Sequence, residues 1–354
     1  MRRFLVIGLA LVLLAGAGVA GAVVWKRQHR THLEQALHVV PADSLRIGFT
    51  DWAVVRRQVH ARLGADPGSG RIQDFVNKAY DKDYTAASSI DSAAVAMDQK
   101  FGVGPANVQW EAYAQSRQGA TMVLKVADET DFDALAGNLR SDGYTRPKAA
   151  DGVWNGGVDL VAQLDPTLTP EVQYVVLLED QGLVVTSDSA SYAATAAKVA
   201  QGDGSSAASV DGVGDMAAQL DGPANAMLWT RDFACDDLAM SQADQADQDS
   251  ADRLVQQAGG VTPLNGFAMG MLPDRTLRVV AHFEDSERAQ KNLRPRAELA
   301  VGDAPGRGVA FSDAFRLTRS RAGGSEVVLD LVPKERTGYV LSALYDGPLL
   351  FATC

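Results

Sequence analysis

Imidazoles and carboxylates are where this chain could do chemistry, and it has only five histidines. His29, His32 and His38 lie close together near the amino terminus. Three imidazoles can begin a metal site, but no Cys, Asp or other close ligand completes this one. A solvated stretch next to a membrane accounts for the cluster. His60 and His282 are the histidines of the body; His282 alternates within a strand-like run and reads as a packed or surface residue, not a general base. The paired acids Glu179-Asp180 and Glu284-Asp285 fall at a turn and at a helix start, where turn-forming and capping explain them. The stretch Cys235–Asp252 carries Asp236, Asp237, Asp244, Asp247, Asp249 and Asp252 with no basic residue. It lacks the glycine and terminal glutamate of a calcium loop and reads as a solvated helix face or loop. A glycosidase needs two carboxylates converging on a cleft, a condition set by the fold.

Nucleophile motifs are missing. There is no G-x-S-x-G, no Ser followed three residues later by Lys, no phosphate loop and no H-E-x-x-H. Ser69 sits between Gly68 and Gly70 in a Pro/Gly-rich turn. Gly16-x-Gly18-x-x-Gly21 matches a dinucleotide fingerprint but lies inside an apolar run, and Gly212-x-Gly214-x-x-Ala217 follows a linker instead of a strand. Trp110, Trp154 and Trp229 could stack on a sugar or peptide, yet they fall on or near expected strands and read as core. No catalytic, cofactor-binding or metal residue is assigned, and no cofactor. The two cysteines, Cys235 and Cys354, remain. In an oxidising compartment the even pair invites a disulfide; two separate buried thiols are the alternative.

The elements that must position these residues begin with Phe4–Trp25, an uncharged apolar run of 22 residues. As a helix it reaches roughly 33 Å, enough for a hydrocarbon core of about 30 Å. A cleaved signal peptide is the other reading, with Ala20-Gly21-Ala22 as the small-residue site. The run is long for that purpose, and Lys26, Arg27 and Arg30 follow at once. The expectation is an uncleaved single-pass anchor behind a cytoplasmic tail (1–3). A basic stalk (26–40) follows, and residues 31–354 lie outside the cytoplasm. The formal charge is −11, and removing the five Lys/Arg of the first 30 residues leaves −16 on the rest. Such a body is not expected to bind nucleic acid or to lie on anionic lipid.

Beyond the stalk the chain reads twice through one pattern. PADSLRIGFTDWA from Pro41 answers PANAMLWTRDFA from Pro223, with Asp51-Trp52-Ala53 against Asp232-Phe233-Ala234. Hairpins follow in each half: VQWEAYAQ with ATMVLKVAD, and GFAMGML with TLRVVAHFED. Acidic starts at Asp128–Asp131 and Glu284–Glu287 lead into helices that both contain Asn-Leu-Arg. Second hairpins are YVVLL with LVVTSD, and GVAFSDAFRL with EVVLDLV. A DGP-led apolar strand closes each unit, before ANAMLWT and before LLFAT. The fold expected is α+β: an N-terminal transmembrane helix, then two tandem duplicated units of antiparallel sheet with helices packed on one face. The units span 41–203 and 223–354, with 204–222 as linker.

The anchor, the Pro-Ala-led strand ending in Asp-Trp, the Trp110-Glu111 hairpin and LEDQGLVVTSD together resemble a group of membrane-anchored exported α+β proteins, a domain of unknown function in high-GC Gram-positive bacteria. The resemblance brings no catalytic residues. The function expected is a membrane-tethered, non-catalytic binding or scaffold module of the cell envelope. It is held in the cell membrane through Phe4–Trp25 and meets an envelope protein as partner. The alternatives are an envelope hydrolase with carboxylates in a cleft between the units, and a small-ligand or lipid carrier.

Overall fold

The computed structural model describes residues 30–354, apart from 65–66, 309, 335–339 and 346. The expected tail and anchor therefore lie outside the described residues. Among those described, no helix is long and apolar enough to cross a membrane.

Strand β1 (Arg46–Thr50) is where the two halves of the chain meet. It pairs antiparallel with β2 (Val108–Gln115) on one side and β7 (Asn225–Thr230) on the other, so Ile47 faces both Ala114 and Leu228. Outward from β2 come β3 (Ala120–Val126), β6 (Leu183–Ser187), β5 (Tyr174–Leu178) and the two-residue β4 (Trp154–Asn155). Outward from β7 come β8 (Gly266–Met271), β9 (Leu277–His282), β11 (Glu326–Pro333) and β10 (Phe315–Gly323). Among the described residues the result is one eleven-stranded antiparallel sheet. Read outward from the β1–β7 pair, each side gives a hairpin (β2–β3 or β8–β9) and then a second hairpin entered by its later strand (β6–β5 or β11–β10), and β4 extends one side alone.

The helices cover both faces of the sheet, which corrects the expectation of one. Successive side chains of a strand point to opposite faces. Ile47 and Phe49 enter one apolar cluster with the helices His32–Leu37, Ala190–Gln201 and Val213–Leu220. Val108, Met122 and Leu124 enter the other, with the helices Trp52–Gln58, Gly68–Tyr80, Phe132–Ser141 and Ser286–Leu299. The physical reason is visible in the strands: β6, β7 and β8 are buried at every position, as runs such as NAMLWT require. Each cluster also draws residues from both halves of the chain.

Three local differences follow from burial. Within the stretch read as a solvated stalk, the helix His32–Leu37 is docked by Leu33, Ala36 and Leu37, each 1% exposed. Its amino end carries a capping box between Thr31 and Glu34. Within 204–222, the helix Val213–Leu220 buries Val213, Met216, Ala217 and Leu220 completely. LLFAT forms a 3₁₀ turn (Leu350–Ala352) instead of a strand, and it packs Phe351 on Phe267 and Phe311. A short apolar run does not by itself distinguish strand from buried helix. The helix starts are as read: Asp131 and Asp285 accept from the backbone N–H groups of Ala134 and Arg288.

Candidate functional site

The ionisable groups most altered by the fold are enclosed singly, each in its own hydrogen-bond set. Glu111, on β2, has no exposed surface. Its Oε2 accepts from Trp52 Nε1 (2.9 Å) and Ser88 Oγ (2.8 Å), its Oε1 from the Ser89 backbone N–H (2.5 Å) and Oγ (2.7 Å). Burial pushes this carboxyl above the usual carboxylate range, opposed by those donors. The network holds the loop after residue 84 against β1, so closely that a Cβ on Gly48 would stand 2.6 Å from the Ala87 carbonyl oxygen. Asp83 receives the Leu341 N–H (2.6 Å) and Ser342 Oγ (2.8 Å), tying the first half to the last helix of the chain. Burial raises its carboxyl as well. Tyr84 Oη donates across the halves to the Pro273 carbonyl at 2.8 Å.

Arg296 is the buried cation, 1% exposed. It donates to the carbonyls of Phe351 (2.8 Å) and Thr262 (2.7 Å), and its guanidinium sits 5.3 Å from the Phe283 ring centre. Desolvation pushes it down to about 9. These groups point into packed protein and not toward a cleft.

The residues singled out from sequence are dispersed. His32 Nδ1 lies 2.8 Å from Asp51 Oδ2, while Asp51 caps the helix Trp52–Gln58 through Val54 N–H. His38 donates to the Glu34 carbonyl. His282 is buried, with Nδ1 3.0 Å from Glu326 Oε1 and Nε2 3.9 Å from Asp211 Oδ2. Each of the His32 and His282 rings is thus paired with a carboxylate. In the acidic run, Asp237 accepts from Trp229 Nε1 (2.6 Å), and Asp244 caps the helix Gln245–Ala258. Among the described residues no group of three or more ligand side chains could hold a metal. Trp110 is core, 2% exposed. Cys235 and Cys354 form a disulfide, with Cα atoms 5.7 Å apart.

Among the described residues the outer edge of β5 lacks a strand partner beyond Val175, where Leu177 is half-buried and Val176 and Leu178 are buried. Strand β4 covers only Tyr174 and Val175, through Asn155 and Trp154. Among the described residues, Val176–Leu178 have no strand on that side. Beside them runs a groove of about 610 Å³ between β5 and the loop 146–151. Leu177, Ala136, Phe132 and Trp154 line it together with Arg146, Lys148, Asp151 and Glu179, and its exposed lining is more polar than apolar. An unpaired strand edge can accept an extended chain by backbone pairing, with alternate side chains entering the groove beside it. Sequence reasoning missed it because nothing in YVVLL tells how short its neighbour will be. The enclosed apolar space between Phe101, Leu135 and Val184 is about 10 Å³, too small for a ligand.

No protein-family profile matches the chain, and no curated relative matches it. Among solved structures, crystal form I of TP0453 is similar at 8% sequence identity and a TM-score of 0.40, covering 90% of this chain and 99% of that one.

Proposed function

We propose that the chain is a membrane-tethered, extracytoplasmic, non-catalytic binding module of the cell envelope, formed by tandem duplication of one α+β unit. The observation that carries the binding reading is the outer edge of β5 at Leu177, which has no strand partner among the described residues and borders a largely polar groove. A strand edge without a strand partner favours an extended protein segment as ligand over a small molecule. The mirrored strand order about β1 and β7 supports duplication. The Cys235–Cys354 disulfide suits an oxidising compartment, and Phe4–Trp25 has the length and composition of a membrane span. The resemblance to exported proteins of high-GC Gram-positive bacteria agrees with that placement.

An envelope hydrolase is the second reading, because Asp133, Asp151, Glu179 and Asp180 all line the same groove. Crosslinking in intact cells separates the two. Full-length protein should retain a stoichiometric partner that a secreted form lacking residues 1–25 does not. Clean protein with no partner, together with turnover of an envelope polymer, would favour the hydrolase.

A further inference from the structure

The net charge of −16 beyond the first 30 residues hides a basic face. RRQVHAR (56–62) ends the helix Trp52–Gln58, and Arg57, His60 and Arg62 are all exposed. His60 has φ 52°, a left-handed turn that carries the chain directly from the helix end into the next basic residues. These side chains line an open cleft of about 720 Å³. An adjoining cleft of about 200 Å³ shares His60 and Arg62 and adds Arg71 and Lys78, with Asp74 as its acid. Lys82 Nζ reaches the Gln58 carbonyl at 3.3 Å, beside the same helix end.

This face lies at the far end of the helix whose cap, Asp51, contacts His32 near the start of the described chain. His32 is held against Asp51, the cap of the same helix, and seven helical residues rise only about 10 Å. From Trp25 to Arg30 the chain spans at most about 18 Å when fully extended. With 4–25 in a bilayer, the body cannot stand off much farther than the basic clefts lie from the tether. Lys26, Arg27 and Arg30 add three basic residues to the sequence between Trp25 and the body. Short tethering turns surface contact into an intramolecular event, and each Lys or Arg near an anionic surface adds to the attraction.

We infer that the clefts around Arg57, Arg62, Arg71 and Lys78 rest on anionic phospholipid headgroups of the membrane that holds the chain. They fix the body with the β1–α helix end toward the lipid. The inference rests on the anchor reading of Phe4–Trp25.

The test uses full-length protein with a fluorophore on Ser69→Cys, an exposed site beside the clefts. It is reconstituted in vesicles of phosphatidylcholine alone or of an equimolar mixture with phosphatidylglycerol, with a headgroup quencher in both. The expected result is several-fold stronger quenching in the anionic vesicles, lost at high salt and in Arg57→Glu/Arg62→Glu. Equal quenching in both lipids, with the protein retained after carbonate washing, would overturn this inference and leave the anchor standing. Release by carbonate would overturn the anchor and the inference together. Relief of quenching by inorganic phosphate beyond that by chloride at equal ionic strength would make the clefts a small-anion site and also overturn the inference.

Discussion

Glu111 shows how far one residue's chemistry can depart from its place in the sequence. In VQWEAYAQ it occupies a position where a polar residue alternates with apolar ones, the pattern of a solvent-facing strand side. The loop after Tyr84 covers that side, and the carboxylate becomes the acceptor that Trp52, Ser88 and Ser89 share. Glu111→Gln should cost about 1–3 kcal/mol, since an amide N–H₂ placed at either oxygen meets donors already there. The pH dependence has a definite sign. Burial raises Glu111, Asp83 and Asp91, so the folded state binds more protons than the unfolded one. This contribution to stability is largest at acid pH and declines as pH rises from the unfolded carboxyl range toward the raised folded values. Urea unfolding of the native protein and Glu111→Gln across that window should show a shallower decline in the variant.

Arg296 belongs to the same scale. Its planar fork satisfies two carbonyls that a lysine cannot reach together, so Arg296→Lys should cost about 2–4 kcal/mol and loosen the 3₁₀ turn at Phe351. Faster amide exchange at 350–354 is the readout. Caps such as Asp131 and Asp285 were legible in the sequence because capping is local. The His32–Asp51 contact was not, since it joins residues brought together only when the first helix docks.

At the scale of elements, period-two runs and turn residues located the hairpins β2–β3, β5–β6 and β8–β9 close to their observed bounds. What the runs did not reveal is what lies over each face. β7 and β8 are apolar at nearly every position, a sign of double burial that a half-exposed reading of alternation passes over. The disulfide is an element-level staple: it joins the helix Phe233–Asp237 to the chain end across 119 residues. In the chain-entropy model closing such a loop stabilises by roughly 4–5 kcal/mol. Cys354→Ser, or reduction of the native protein, should lower the urea midpoint accordingly; an unchanged midpoint would mean the bridge adds nothing.

For the whole molecule, the repeated motifs led to an expectation of two separate units, whereas β1 and β7 join both halves into one sheet with shared cores. Strand pairing across halves is a long-range choice that local pattern does not encode. Topology is tested by labelling: after mild reduction, Cys235 and Cys354 should react with an impermeant maleimide in intact cells. Labelling only after lysis would place the body in the cytoplasm.

The groove beside β5 bears most directly on the proposed function. A photoreactive amino acid at Leu177, on the open edge, should crosslink in cells to one protein through an extended segment, while the same residue at exposed Thr195 should not. A crosslink mapped to alternating residues of one partner strand is the result this account predicts. The absence of any adduct at Leu177, or the same adducts at both positions, would contradict it.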